Sequence, residues 1–351
     1  MNRIFDPVGH GATTIRYSSI PSENIHHLAE VLQKGWNLQD LKEIQKIEAY
    51  SAARSVNYRI TSAERELVLK RSLINSVSMQ EFQHQYMKFL RESGLHIPEV
   101  IPSSDGTTYS ENSELYCLYQ FIGGEYFDGS RNELDSAARN IALLEQVLKR
   151  MPFQEEIKIR KGSLIHHDYN ALEELEKSIH SSRRNTENEL VISVFPTVKE
   201  LSSLVMNADL ENLPLQIIHY DLHPHNLLFS EKGEFKSFLD FDPMLHSQRI
   251  RDVGKALYRL SRTYGPLTER NNDGESDLIS RAKFFLDSYL KVGELTPEEL
   301  KALPYVIIDD PLRHLVESLK GHYFAGKKLS SLEKKITLLQ DATLFLTARF
   351  P

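Results

Sequence analysis

The sequence predicts an α+β protein of two lobes, a small antiparallel β N-lobe and a mostly helical C-lobe, on three observations. Between Glu43 and Lys70, short β-like runs (Ile44–Ala49, Val56–Ile60, Leu67–Lys70) are separated by polar turns. Past residue 123 the apolar spacing turns helical, as in Leu134–Met151, where Ala138, Ile141, Leu144 and Leu148 share a face. Within the helical part lies one β-rich stretch, Leu215 to Asp242, reading LQIIHYDLHPHNLLFSEKGEFKSFLDFD. A chain of 351 residues can bury the cores of two such lobes, and the expected division is 1–122 and 123–351.

Bulk composition excludes some functions before any motif is read. Apolar residues at 40% and charged residues at 26% are ordinary for a soluble globular protein. A net charge of −7 argues against a broad nucleic-acid or acidic-membrane surface. The lone Cys117 rules out an internal disulfide and fits a reducing cytoplasm. The start, MNRIFDPVGHG, has no apolar signal core, and no run approaches the length of a membrane span. No nucleic-acid or membrane partner is therefore expected, and the chain is expected to be a monomer or homodimer.

The chemistry is concentrated in 215–242. The apolar run Leu215–Ile218 breaks at His219-Tyr220-Asp221, and a loop containing Pro224 leads to Asn226. Leu227–Phe229 and Phe235–Leu239, joined by the polar turn Glu231-Lys232-Gly233-Glu234, read as a hairpin. An antiparallel hairpin brings its outer ends together, so Asp221 and Asn226, before one arm, should meet Asp240, after the other. Two carboxylates and an amide oxygen make an oxygen-rich site suited to Mg²⁺ and phosphate chemistry.

The spacing H-x-D-x-x-x-x-N from His219 to Asn226, followed by the strand-borne Asp240, is that of protein-kinase catalytic and metal loops. The variant D-L-H-P-x-N-L-L followed by L-D-F-D, with Arg249 and Asp252 downstream, resembles the aminoglycoside phosphotransferase and choline kinase superfamily, which includes homoserine kinase-like enzymes. The resemblance implies a protein-kinase-like fold, ATP and Mg²⁺ as cofactors, and transfer of the γ-phosphoryl group to a hydroxyl of a small molecule. It implies Asp221 as the catalytic residue and Asn226, Asp240 and Asp242 as metal ligands. His219 would support the loop by hydrogen bonding and Asp252 would anchor it, although a plain helix cap is an equal reading of Asp252. His223 matches the family pattern and His225 does not; Tyr220 stands where a glycine is usual.

The other elements follow in chain order. Residues 1–40 are weakly patterned apart from a short helix at His26–Leu32. Lys70, ending the third β run, is placed as the strand lysine that meets the nucleotide phosphates; alone, a lysine at a strand edge would mean little. A phosphate-covering loop normally uses glycine so that N–H groups can approach closely, yet Ala49–Tyr58 has none. Ser55 and Asn57, in Ser55-Val56-Asn57-Tyr58, resemble the family's small and polar pattern at that loop. Ser78-Met79-Gln80-Glu81 reads as a capping box opening a helix with Phe82, Tyr86, Phe89 and Leu90 on one face.

In that reading Glu81 is a cap. The register puts Gln83 where a kinase carries the glutamate that fixes its lysine, so the partner of Lys70 stays open between Gln83 and Glu81. Glu114–Ile122 is a strand that ends at Gly123-Gly124. That suits a hinge where backbone at Gln120 and Ile122 hydrogen-bonds adenine, and a plain strand end reads equally well. Leu172–Ile179, Val198–Met206 and Lys255–Arg262 are helical, and Gly265–Asp277 is an exposed loop. Thr296-Pro297-Glu298-Glu299 opens a capped helix, and Tyr305–Phe350 makes two long helices.

Rival sites weigh less. Gly321–Lys328 nearly spells a Walker A loop, but a helical pattern precedes it and Lys328 occupies the place of the required hydroxyl. His219, Asp221, His223 and His225 alternate as zinc ligands on a strand would, which offers a metallohydrolase reading. Pro224 argues against a regular strand there, and the Asn226 and Asp240 spacing would be left unused. His166-His167-Asp168 reads as a solvated loop. A non-catalytic kinase-like binding protein is the remaining alternative, motivated by the missing glycines and by Gln83. The resemblance points to an amino sugar, choline or ethanolamine, homoserine or a similar metabolite as acceptor. Asp309, Asp310 and Glu317 read as solvated helix charges that a cationic acceptor could meet.

Overall fold

The structure is a computed structural model that describes residues 15–348 and 350, except 49–54, 73–75, 105, 107, 112–113, 162, 165–168, 170, 183–184 and 263–276. Its first elements are strand β1 (Tyr17–Ser18), helix α1 (Ser22–Trp36), strands β2 (Leu41–Ile47), β3 (Ser55–Ser62) and β4 (Glu66–Ser72), and helix α2 (Val77–Glu92). Strands β5 (Val100–Ile101), β6 (Tyr109–Glu111) and β7 (Glu114–Gln120) complete one antiparallel sheet in the order β1-β2-β3-β4-β7-β5, with β6 also on β7. Alternation along β7 sends Tyr116 and Leu118 to one face and Cys117 and Tyr119 to the other. The first pair packs with Leu28, Val31 and Leu32 of α1; the second joins the core that includes Phe82, Tyr86 and Leu90 of α2. The register sets Lys70 opposite both Asn57 and Cys117, so Lys70 and Asn57 rise from the same face of the sheet.

Helix α2 starts earlier than the Ser78 capping box predicts. Ser76, in extended conformation, is the N-cap, and its hydroxyl accepts the Met79 N–H at 3.3 Å. Ser78 is then already helical, and Glu81 caps nothing. The carboxylate of Glu81 turns toward Gly106, where an added Cβ would lie 2.9 Å from Glu81 Oε1.

The remaining elements are β8 (Glu125–Tyr126), α3 (Arg131–Lys149), α4 (Gln154–Lys161), β9 (Ser163–Leu164), α5 (Leu172–Ser181), α6 (Thr186–Asn207), β10 (Leu215–Ile218), β11 (Leu227–Phe229), β12 (Phe235–Phe238), β13 (Leu245–Gln248), α7 (Ile250–Ser261), α8 (Asp277–Leu290), α9 (Pro297–Ala325) and α10 (Leu332–Thr343). This part is mostly helical, as expected, and its helices share one apolar core with the β11–β12 hairpin. Helix α6 runs straight through Pro196, where the sequence suggested a start after it. An interior proline costs about 3 kcal/mol; Val191 and Phe195 before it and Val198, Leu201 and Val205 after it are all buried and offset that cost. Helix α9 opens with the expected capping box, Thr296 with Glu299, and ends at Gly326, φ +63°. The Walker-like residues from Gly321 thus belong to a helix end, not to a phosphate loop.

The hairpin is formed as the sequence indicates, with Leu227 opposite Phe238. Strand β10 lies outside it and pairs with β13, which also runs parallel to β9. Residues 49–54 of the presumed phosphate loop, His166-His167-Asp168 and the loop predicted from Gly265 lie outside the described residues, and Asp277 already belongs to α8.

Candidate active site

Three segments of chain meet in a cleft beside the sheet. Lys70 comes from the middle of β4, Asp221 and Asn226 from the loop between β10 and β11, and Asp240 and Asp242 from the turn after β12. The cleft encloses about 250 Å³, and its lining includes Ser55, Asn57, Lys70, Gln120, Ile122, Asn226 and Asp240. All five residues assigned from sequence to the nucleotide therefore face one cavity with two of the three assigned to the metal.

The loop holding Asp221 is pinned from below. Asp252, fully buried in the first turn of α7, accepts the backbone N–H of His219 at 2.5 Å and of Tyr220 at 2.7 Å. His219 is also fully buried; its Nε2 meets the Leu239 carbonyl at 3.0 Å and its Nδ1 accepts the Asp221 N–H at 3.3 Å. Burial pushes the imidazole pKa down, so the ring is neutral and its Nε2–H donates. One histidine thereby ties the loop holding Asp221 to the end of β12. Tyr220 between them has φ +70°, and Asp240 has φ +55°. A left-handed residue is where glycine fits at no steric cost, which accounts for the glycine expected at position 220.

Asn226 donates Nδ2 to the Asp221 carbonyl at 2.8 Å and to its Oδ2 at 3.3 Å. Its Oδ1 has no donor among the described residues and is left for a cation. Asp240 keeps 44% of its side chain exposed, and its Oδ1 is 3.7 Å from Lys70 Nζ. Asp242 binds more tightly inside the protein: Oδ2 accepts Lys70 Nζ at 2.8 Å and Oδ1 accepts Gln83 Nε2 at 2.5 Å. Burial opposes the Asp242 charge, but Lys70 and these hydrogen bonds outweigh it and hold the carboxyl below its ordinary value. The Asn226 amide oxygen and the Asp240 carboxylate on the cleft, with the Asp242 carboxylate beside Lys70, form a hard, oxygen-only donor set that fits Mg²⁺.

The partner of Lys70 is thus neither Glu81 nor Gln83. It is Asp242, and Gln83 shares that carboxylate from the other side. The lysine is held here by a carboxylate from the turn after β12.

The rings of His223 and His225 lie 5.8 Å apart and His223 Nε2 is 3.4 Å from Asp221 Oδ2, but among the described residues the histidines do not form a metal-ligand set. His223 caps the turn Pro224–Asn226, accepting the His225 N–H at 3.3 Å, and His225 meets the Tyr126 ring edge-on. Both nitrogens of His219 are occupied, and among the described residues no three His, Cys, Asp or Glu side chains form a metal site. The zinc arrangement considered for His219, Asp221, His223 and His225 is not built.

A protein-family model described as the phosphotransferase enzyme family matches residues 46–285, over two thirds of the chain. The chain belongs to the phosphotransferase enzyme family. No curated protein sequence matches it. Among solved structures it is similar to a spectinomycin phosphotransferase in complex with ADP and spectinomycin (11% identity, TM-score 0.64, 92% of this chain and 98% of that one). It is also similar to an amicoumacin kinase in complex with AMP-PNP and Ca²⁺ (16%, 0.60, 95% and 96%) and to a microcompartment-associated aminopropanol kinase (15%, 0.59, 92% and 95%). At these identities the likeness is one of fold. The chain is a phosphotransferase enzyme with the two-lobed fold of the small-molecule kinases.

Several polar residues around the site of this phosphotransferase escape sequence reading. Lys255 Nζ, from the second turn of α7, lies 3.1 Å from Asp221 Oδ1, donates to the Tyr220 carbonyl at 3.0 Å and sits 3.8 Å from Asp310. Burial works against the Asp221 charge, but Lys255 and then His223 hold its carboxyl well below the ordinary range. Lys161, at the end of α4, donates to the Asp242 carbonyl. No motif marks either lysine; only the packing of α4 and α7 against the loops does. Two of the three late acidic residues, Asp309 and Asp310, are also not the solvated charges expected. Asp309 is fully buried, pairs with Arg251 and accepts the Tyr169 hydroxyl at 2.6 Å, and Asp310 pairs with Arg313 at 2.9 Å. Glu317 is exposed.

Proposed function

We propose that the protein is an ATP- and Mg²⁺-dependent kinase transferring the γ-phosphoryl group to a hydroxyl of a small molecule, with lobes divided at residues 122 and 123. The observation that carries this reading is the convergence of Lys70, Asn226 and Asp240 on the cleft also lined by Ser55, Asn57, Gln120 and Ile122. Adenine would lie against the backbone at Gln120 and Ile122, with Ser55, Asn57 and Lys70 on the phosphates. Asn226 Oδ1, Asp240 and Asp242 would hold the metal, which would offset the negative charge of the phosphates.

Asp221 orients the attacking hydroxyl by accepting its hydrogen bond. Its depressed pKa makes it a weak base, which suits a loose transition state in which the acceptor proton departs late. The acceptor oxygen bonds to the γ-phosphorus, the bond to ADP breaks, and the hydroxyl proton leaves by way of Asp221. His219 and Asp252 hold the loop in place for this. The acceptor class that the family resemblance suggests is an amino sugar, choline or ethanolamine, homoserine or a similar metabolite.

The test is ATP binding by calorimetry with and without Mg²⁺, on wild type and Asp240→Ala. Magnesium-dependent binding weakened by the substitution is expected, followed by an ADP-release screen over hydroxyl acceptors. A folded sample that binds no nucleotide would sink the reading.

A further inference from the structure

Two buried acids touch directly beneath the catalytic loop. Glu145, in α3 and 2% exposed, lies within hydrogen-bonding reach of Asp252, the fully buried residue that holds the His219 and Tyr220 amides. A carboxyl pair in contact needs a proton, because two carboxylates have no donor to share.

The charged groups acting on the pair include Arg249, Glu299 and His219. Arg249 is committed to Glu299 by two hydrogen bonds, 3.0 Å for Nε to Oε1 and 2.5 Å for Nη2 to Oε2. His219 is kept neutral by burial. Two further neighbours are uncharged: the amide of Gln216, which donates to Glu145 Oε2 at 2.5 Å, and the phenol of Tyr289. With Arg249 and Glu299 cancelling, a singly protonated pair leaves one negative charge in the core, and full ionisation would leave two.

The hydrogen bonds also decide which acid holds the proton. Asp252 accepts two backbone N–H groups, which favour its anion. Glu145 accepts only the Gln216 amide, and its buried Oε1 has no donor. An O–H on Glu145 pointing at Asp252 explains both the contact and the orphaned oxygen. We propose that Glu145 is a positioning residue, a carboxylic acid whose proton is donated to Asp252 and so locks the 219–221 loop. Burial, and after it the Asp252 charge, push the Glu145 acid well above its ordinary range, in agreement with that assignment.

The role rests on reading 219–226 as the catalytic loop; the proton itself does not. Glu145→Gln is the informative variant, since its amide still donates to Asp252, still accepts from Gln216, and cannot ionise. Infrared spectra of wild type at mildly alkaline pH should show a protonated-carboxyl carbonyl band that Glu145→Gln lacks. In turnover measured by ADP release, Glu145→Gln should keep most of kcat and continue to higher pH than wild type. Glu145→Ala should lower kcat on the order of 100-fold, with the KM for ATP nearly unchanged, because the loop is displaced while the nucleotide cleft is not. If the infrared band persists in Glu145→Gln, or if the Gln and Ala variants behave alike, the proposal is overturned. Loss of the band with no turnover in any form, wild type included, would uphold the proton on Glu145 and count against the kinase reading instead.

Discussion

The Lys255 ammonium lies 3.1 Å from Asp221 Oδ1 and donates at 3.0 Å to the carbonyl of Tyr220, one residue earlier. A single buried cation thus fixes both the charge of Asp221 and the backbone that aims it. Burial lowers the lysine pKa, but Asp310 and then Asp221 outweigh it and the group stays charged. Asp252 pulls the same loop from its other side through two amides, so the loop is clamped between a cation and an anion from one helix.

Removing that cation should act on chemistry more than on nucleotide binding. Lys255→Met is expected to lower kcat on the order of 100-fold or more, the usual cost of losing one preorganised electrostatic group. The KM for ATP should change little, since Lys255 is not among the residues lining the cleft assigned to the nucleotide in the proposed function. Steady-state ADP release over a range of ATP concentrations checks both.

Much of the fold is legible in the sequence because local and global signals agree. Strands β10, β11 and β12, the capping box at Thr296 and the helical second half all follow from periodicity and turn chemistry. The start of α2 was displaced because two serines, Ser76 and Ser78, compete for one cap, and only the packed helix selects between them. In the site, Asp221, Asn226 and Asp240 are bound by one hairpin, so spacing along the chain translates into proximity. Lys255, Lys161 and Glu145 reach the site from separate helices, and Asp309 looks like a surface charge until Arg251 is seen beside it. Contacts of that kind depend on helix packing, for which one sequence carries no local signature.

The Lys70–Asp242 pair should show its value by double substitution. Lys70→Met leaves Asp242 without its cation and should cost about 3 kcal/mol of stability, whereas Lys70→Met with Asp242→Asn should cost clearly less. The pH window follows from the signs. Asp242 has a lowered folded pKa, so its contribution is present above the ordinary 3.8 and lost as pH falls through the folded value. Lys70 has a raised one, through Asp242 and Asp240 acting against burial, so its contribution holds below 10.5 and is lost as pH rises through the folded value. Urea unfolding across pH should find the coupling constant between those limits.

Tyr220 offers a test of backbone strain. At φ +70° a Cβ costs about 1 kcal/mol relative to glycine, and the ring is placed 5.2 Å from Lys255 Nζ and 5.1 Å from the Arg313 guanidinium. Tyr220→Gly and Tyr220→Ala both lose the ring, but only Ala keeps the strain. The Gly variant should therefore be more stable than the Ala variant by about 1 kcal/mol. Tyr220→Phe should match wild type or exceed it, because the buried hydroxyl has no hydrogen-bond partner among the described residues. Urea midpoints for the three variants decide the matter.

His84 predicts an acid-sensitive step in stability that is separate from catalysis. It lies in α2, 2% exposed, with Nε2 at 2.9 Å from the Tyr119 hydroxyl, and burial followed by the Lys70 charge pushes its pKa down to about 4 from 6.5. A histidine depressed in the folded state takes up protons more readily when unfolded, so stability is complete above 6.5 and falls as pH drops toward 4. The loss over that range should approach roughly 3 kcal/mol for this one group. His84→Gln keeps a polar group facing Tyr119 and cannot titrate, so its stability should depend less on pH across the same range. Equal slopes of stability against pH in wild type and His84→Gln would show that His84 is not the group responsible.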